Sequence, residues 1–418
     1  MRIARFPRGS DAAGIRALSR PAAAVEGEVR AILDEVRGGG DGAVSRLTAR
    51  FDHAEVAPDR LRVDDRDLES SVGVLEPGVL AGLRTAMANV RTVVQAQLRD
   101  TVVVDLPQGQ HVEVAEIPVG RVGVYAPAGR AAYPSTVVMC AATARAAGVN
   151  QIAVCAPPGP RGQAHPVVLA ACVLCGVTEV YRIGGAQAIG ALAYGTESIQ
   201  PVDVITGPGN RYVQEAKRQV YGTVGIDGIA GPSELIVVAS KGADPELVAL
   251  DLLAQAEHGP ESFIAVVSAD AELLDAVEEA VKRLTPDRPS VTDAELQVTK
   301  VVETRLGVRA AERMAPEHLE LVGEEAEALA GDVRNAGAVY IGAAGATAFG
   351  DYVAGSNHVL PTGGAARFQS ALSAATFRRR MARVAFPGDS AARLAPAGAA
   401  IARAEGFPVH AESMERRA

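Results

Sequence analysis

Between residues 121 and 205 short apolar runs alternate with longer stretches of helical periodicity. Arg121-Val122-Gly123-Val124-Tyr125 is β-rich and stops at Pro127. A helix is predicted from about 134 to 147, closed by Gly148, and Gln151-Ile152-Ala153-Val154-Cys155 reads as the next strand. A helix over about 165–175 leads to a strand at 179–183. A helix over about 186–194 leads to a strand at 202–205, and Gly207-Pro208-Gly209-Asn210 then opens a long helix. The pattern restarts with strands at 235–238 and 263–267, helices at about 245–258 and 271–284, and further strands at 300–302 and 338–341. Apolar strands alternating with helices of roughly 10–15 residues indicate βαβ units and a parallel sheet. Residues 25–97 read as mainly helical, with a break at Gly38-Gly39-Gly40, and the last fifty residues as a helical, Arg-rich arm.

A length of 418 residues suggests two or three domains. With 48% hydrophobic and 22% charged residues a large core is expected. The formal charge of −9 argues against a nucleic-acid or membrane-surface partner, which needs a basic face. Four cysteines are too few and too scattered for a disulfide scaffold, so a reducing, cytoplasmic setting is expected. Met1 to Phe6 lacks the apolar core of a secretory leader, and no apolar stretch reaches the ~18 residues of a membrane span.

No Gly-x-Gly-x-x-Gly or Walker A motif occurs, so a standard pyrophosphate loop is absent. Gly184-Gly185 and Gly207-Pro208-Gly209-Asn210 do follow predicted strands, at the sheet edge where ligands bind and helix N-termini attract anions. They are equally readable as tight strand-to-helix turns. Gln255 and His258 share one face of a last helical turn stopped by Gly259-Pro260. An oxygen and an imidazole so placed suit zinc, or the histidine simply caps the helix. Pro316-Glu317-His318 sets a carboxylate beside an imidazole, for two separate proton transfers or merely in a surface turn. Asp351 and His358 lie in a glycine-rich loop, and Glu405 and His410 in the tail, where plain solvent exposure is the other possibility. Cys172 and Cys175 form a C-x-x-C in an apolar helix, with no second pair. Cys140 and Cys155 are also in apolar surroundings, so all four read as packing residues.

In this order the motifs resemble the histidinol dehydrogenase family. The resemblance rests on Arg121 to Tyr125, Tyr133-Pro134-Ser135-Thr136-Val137-Val138-Met139, Gly184-Gly185-Ala186-Gln187-Ala188-Ile189 and Gly207-Pro208-Gly209-Asn210. It continues through Ala230-Gly231-Pro232-Ser233-Glu234, Gln255-Ala256-Glu257-His258-Gly259-Pro260, Pro316-Glu317-His318-Leu319 and Gly350-Asp351-Tyr352. Gly355-Ser356-Asn357-His358-Val359-Leu360-Pro361-Thr362 and the Glu405 to His410 tail complete it, so it spans about residues 25 to 410. Three features depart from the family pattern. Ala126-Pro127-Ala128-Gly129 stands where Pro-Gly-Gly is usual, a proline is missing from 140–148, and the tail ends early, at Ala418.

The resemblance implies an α/β fold of two Rossmann-like parallel-sheet domains with small terminal arms. The expected divisions are an arm at 1–24, a first domain from 25–118 and 235–365, an inserted cofactor domain at 119–234, and a helical tail at 366–418. It implies zinc held by Gln255, His258, Asp351 and His410, and NAD contacted by Tyr125, Gln187 and Asn210. Ser233, Gln255, His258, His318, Asp351, Glu405 and His410 would surround L-histidinol, with Glu317 and His318 as the acid/base pair. It also implies a homodimer whose tails reach into each other's sites. The implied reaction is a four-electron oxidation of L-histidinol through L-histidinal to L-histidine, the end of histidine biosynthesis. Three alternatives stand beside it. One is a zinc and NAD paralogue acting on another small amino or sulfo alcohol. The others are a non-catalytic binding protein of the same fold and a cysteine-dependent aldehyde dehydrogenase.

Overall fold

The computed structural model describes residues 1–6, 25–128 and 132–418. Most of the expected N-terminal arm and Gly129 of the loop after Tyr125 lie outside them. In chain order the strands are β1 (Arg2–Phe6), β2 (Val102–Asp105), β3 (His111–Pro118), β4 (Arg121–Tyr125), β5 (Gln151–Cys155), β6 (Glu179–Tyr181) and β7 (Val204–Thr206). They continue with β8 (Gly225–Ile226), β9 (Glu234–Ala239), β10 (Phe263–Ser268), β11 (Glu295–Lys300), β12 (His318–Val322), β13 (Ala338–Ile341) and β14 (Arg378–Ala385).

Two all-parallel sheets result, ordered β6-β5-β4-β7-β8 and β1-β11-β10-β9-β12-β13. Apart from β1, both follow one doubly wound pattern, third-second-first-fourth-fifth, as expected for two Rossmann-like units. Helices cover both faces of each, which is why β4, β10 and β12 are buried along their whole length and why β10 reads as a continuous rather than an alternating run. In β9, Leu235 and Val237 face one core, and Ile236 and Val238 the other. The segment after β8 carries the chain from the carboxyl edge of the smaller sheet to the amino end of β9, so these two edges bound a shared cleft.

Several expectations are corrected. The helices Glu26–Asp52 and Pro77–Gln97 do not build the larger sheet's domain, as the division 25–118 supposed. Val29, Leu33, Val36 and Leu47 of the first pack with Ile189 and Leu192 on one face of the smaller sheet. Leu83, Val90 and Val94 of the second pack with Val122 and Met139 on its other face. Gly190 permits the first approach, since a Cβ there would press on Leu33 and Val36. An apolar stripe fixes that a helix is covered, not which sheet covers it. The expected glycine break falls on Gly40 alone, at φ 52°, where the Glu197 carboxylate accepts the Asp41 N–H at 2.7 Å and leaves no room for a Cβ.

The tail 366–418 is not wholly helical. Its Arg-rich stretch is β14, antiparallel to β3, with β2 on the far side. Arg380 meets Glu116 at 3.1 Å and Arg383 pairs with Glu113 across the ladder. β11 ends at Lys300, leaving Val302 exposed, and Arg2–Phe6 of the expected arm is an edge strand on β11. β12, in the middle of the larger sheet, was hidden behind the polar residues that open it.

One of those polar residues is out of keeping with a core strand. Glu320 is 2% exposed and lies against Asp251 of the helix Pro245–Glu257. Burial, then the Asp251 carboxylate, push the Glu320 carboxyl from its ordinary 4.5 up to about 9, and burial raises Asp251 as well. The pair therefore holds a proton at neutral pH. A carboxyl raised in the folded state costs stability as pH climbs from the unfolded to the folded value. Glu320→Gln, which keeps a donor at all pH values, is expected to gain on the parent steadily between pH about 4.5 and about 9. Urea-unfolding midpoints measure this, and a pH-independent difference would contradict it.

Candidate active site

The cleft between the sheets holds about 490 Å³, within the roughly 300–1,000 Å³ of small-molecule sites. Its chemical centre stands where β9 and β12 begin side by side, with His318 opposite Leu235. The helix Thr304–Met314 stops at Ala315 in the left-handed region, and Pro316 then turns Glu317 toward β9. Glu317 Oε2 accepts hydrogen bonds from Ser233 Oγ at 2.5 Å and from the Glu234 N–H at 2.8 Å. In return the Glu317 N–H donates to Glu234 Oε2 at 3.2 Å.

The Glu234 carbonyl lies 3.0 Å from His318 Nδ1. A carbonyl only accepts, so Nδ1 carries the proton, and in the neutral ring Nε2 is a bare lone pair. His318 is 2% exposed, and its Nε2 is buried without a hydrogen-bond partner. Glu317 Oε2 is 3.6 Å from Nδ1, which is already committed, so the two residues do not share a proton and are free for separate tasks.

Asp351, in the helix Thr347–Tyr352, faces this centre from the other side. Its Oδ1 is 3.7 Å from His318 Nε2, and its Oδ2 is 3.8 Å from His258 Nε2. Gly350 before it passes beneath the Tyr340 hydroxyl, where a Cβ would overlap. Burial alone would raise the Asp351 carboxyl. The imidazoles of His258, His318 and His358 outweigh that and hold it below its usual range. Asp351 in turn raises His258 against the opposing effect of burial.

His258 ends the helix Pro245–Glu257, half-exposed on the cleft wall. Gln255, one turn back, is buried, and its amide nitrogen has no partner. Amide oxygen and nitrogen are interchangeable by a flip. Among the described residues no three His, Cys, Asp or Glu side chains group as a metal site. Gln255, His258 and Asp351 would offer a mixed N/O donor set of three, one short of the usual four of zinc, and the unpartnered Gln255 amide is compatible with such a role.

Asn210 lines the cleft and caps the helix Arg211–Val220, accepting the N–H groups of Tyr212 at 3.0 Å and Val213 at 3.2 Å. Tyr125 and Gln187 lie off the cleft wall, under the neighbouring turn. The Tyr125 hydroxyl accepts the Gly185 N–H at 3.1 Å, and Gln187 Nε2 donates to Asp52 Oδ2 at 3.2 Å. Asp52 also accepts from the Gly184 N–H, so the donors of the Gly184-Gly185 turn are taken by this chain's own side chains. Glu405 and His410 are not brought to the cleft. They are exposed on a terminal helical hairpin, Ser390–Ala404 and Pro408–Glu415, which packs through its own small cluster of Ala399, Ala402, Ala411 and Met414.

Two residues had no assigned role in the sequence. His358 lines the cleft, donating Nδ1–H to the Asp351 carbonyl at 2.8 Å, with Nε2 3.5 Å from Thr136 Oγ1. Burial lowers its pKa. Its glycine-rich loop was the available signal. Glu234 orients both catalytic candidates, chiefly through its backbone, which no side-chain pattern reveals. All four cysteines are buried free thiols raised by burial, Cys140 and Cys175 to about 12, so none is poised as a nucleophile. Among the described residues no helix is long and apolar enough to cross a membrane.

Residues 17–418 match the histidinol dehydrogenase family model. The chain is 43% identical over 416 residues to histidinol dehydrogenase from Gluconobacter oxydans, covering 98% of this chain and 94% of that one. It is 44% identical over 399 residues to histidinol dehydrogenase from Parasynechococcus marenigrum, covering 94% and 91%. Its fold superposes on the crystal structure of histidinol dehydrogenase from Elizabethkingia anophelis with a TM-score of 0.93 at 29% identity, covering 100% and 98% of the two chains. This match supports the two-sheet α/β architecture as a whole. The chain belongs to the histidinol dehydrogenase family of oxidoreductases.

Proposed function

We propose that this chain oxidises L-histidinol through L-histidinal to L-histidine in the cytoplasm, using two NAD per turnover and one zinc per subunit. The observation that carries this is the bare Nε2 of His318, held in the cleft by the Glu234 carbonyl and facing Asp351. Gln255, His258 and Asp351 would hold the metal, with His410 contributed by a second copy of the chain. Zinc, when bound, supplies a template that orients the amino alcohol through its imidazole and amine. NAD, when bound beside Asn210, Tyr125 and Gln187, supplies the hydride acceptor.

His318 Nε2 takes the hydroxyl proton as the carbinol carbon gives up hydride. Glu317, steadied by Ser233 and Glu234, takes a proton from water as it adds to the aldehyde, and the hydrate loses the second hydride. One alcohol, one water and two NAD thus give one carboxylate, two NADH and the released protons. Ser233 and His258 on the cleft wall, with Glu405 and His410 from the partner's tail, would complete the substrate pocket.

A homodimer is supported by what one chain leaves uncovered. Val102, Val103 and Val104 of the antiparallel sheet are exposed, and so are Ile401, Phe407 and Val409 beside Glu405 and His410. Apolar patches of this kind mark association surfaces.

The pure protein with zinc is expected to form two NADH per histidinol consumed. No NADH from histidinol, but turnover of another small amino or sulfo alcohol, would move the assignment to a paralogue. His318→Asn is expected to slow the alcohol step by ~10²–10⁴-fold, whereas Glu317→Gln chiefly slows oxidation of added histidinal. Equal loss of both steps in each variant would refute this division. Subunit sharing has its own test. His258→Ala and His410→Ala proteins, each inactive, should recover roughly a quarter of wild-type activity when unfolded together and reassembled, because mixed dimers keep one intact site. No recovery would place His410 outside the shared site.

A further inference from the structure

The turn Gly207-Pro208-Gly209-Asn210 joins β7 to the helix Arg211–Val220 and forms part of the cleft wall. Its first residue is gripped at both backbone groups by one buried ion pair. Lys217, 1% exposed, donates to the Gly207 carbonyl at 3.0 Å and pairs with Asp227. The other Asp227 oxygen accepts the Gly207 N–H at 2.7 Å. Gly207 has φ +119°, and a Cβ there would overlap the Tyr125 carbonyl oxygen, so the gripped position admits only glycine. The grip is tied to a further stretch of the cleft wall, because the Asp227 carbonyl accepts from Gln369 Nε2 at 2.8 Å.

A buried ion pair returns little net stability for the desolvation it costs. This pair does satisfy a turn whose two polar backbone groups would otherwise be free to shift. Lys217 is also the only lysine or arginine on the cleft wall among the described residues, and Asp227 neutralises it there. The turn it holds ends in Asn210, which both caps the following helix and faces the cleft. A shift of the turn would therefore move Asn210 and the first N–H groups of that helix together.

We propose that Lys217 and Asp227 are positioning residues for the dinucleotide. They fix the 207–210 turn, and with it Asn210, at the height that meets the cofactor, without touching the substrate. This rests on the NAD-linked function proposed above. The Ser233, Glu317 and His318 network does not depend on the pair, so the effect of breaking it falls on one substrate of the two.

The test is a fluorescence titration of NADH onto the ligand-free protein, with steady-state kinetics alongside. It uses Lys217→Met and the double variant Lys217→Met/Asp227→Asn, which leaves no lone buried charge to unfold the chain. The Kd for NADH and the KM for NAD are expected to rise ~10-fold or more, with KM for histidinol and zinc content within ~2-fold of the parent. Amide exchange at 207–210 in the ligand-free double variant should quicken, and exchange along β12 should not. Unchanged NADH affinity in the folded double variant would overturn the proposal. So would a parallel loss of histidinol affinity and zinc, which marks a merely structural pair. If the parent binds NADH but leaves histidinol untouched, the substrate assignment fails and the NADH comparison still decides the role of the pair.

Discussion

The exchange of hydrogen bonds between the start of β9 and the start of β12 is the constraint on which the site depends. Glu317 takes two donors from Ser233 and Glu234, and His318 gives its only ring proton to the Glu234 carbonyl. The two strands are neighbours in register in the middle of a six-stranded sheet buried on both faces. The His318 ring is thus set by paired, buried strands rather than by a loop. Its tautomer follows from backbone geometry. Residues 317 and 318 point to different partners, as adjacent positions at a strand end must, which is what the proposed division of two steps between one carboxylate and one imidazole requires.

The second consequence is the direction in which the site faces. Ligands in open parallel sheets gather at carboxyl edges. The smaller sheet obeys this, presenting the turns after β4 and β7. The larger sheet presents its amino edge, because the chain leaves the smaller sheet at the carboxyl edge and enters β9 a few residues later. The proposed substrate and cofactor sites would then face each other across one cleft. The proposed metal donors would sit on neither sheet, but on a helix end at His258 and a short helix at Asp351. Under the proposed assignment one chain would offer three of them, with His410 on an exposed hairpin left to a second copy.

Much of this was legible in the sequence. The alternation at 121–205 and 235–284 reports parallel sheets because strands covered on both faces must be apolar throughout. Gln255 and His258 were legible from helical spacing and Asn210 from its place after a strand. Other features were not legible, for physical reasons. β12 opens with His318 and includes Glu320, so its polar residues mask a core strand. β14 carries Arg378, Arg379, Arg380 and Arg383 with no strand alternation, and looks like an Arg-rich helix until the glutamates opposite it are known. The helices 26–52 and 77–97 carry apolar stripes that fit either sheet. Glu234 acts through a carbonyl, and Lys217 and Asp227 act on a glycine's backbone, interactions with no signature in residue type or spacing.

Glu234 fixes His318 as the Nδ1–H tautomer, with Nε2 left without a hydrogen-bond partner. Nitrogen-15 NMR of the His318 ring in the ligand-free protein tests it most directly. A protonated Nδ1 and an unprotonated Nε2 are expected, with the proton released from Nδ1 only when the strand pairing is broken. A resting ring that carries its proton on Nε2 would contradict it, since such a ring has no lone pair facing the substrate.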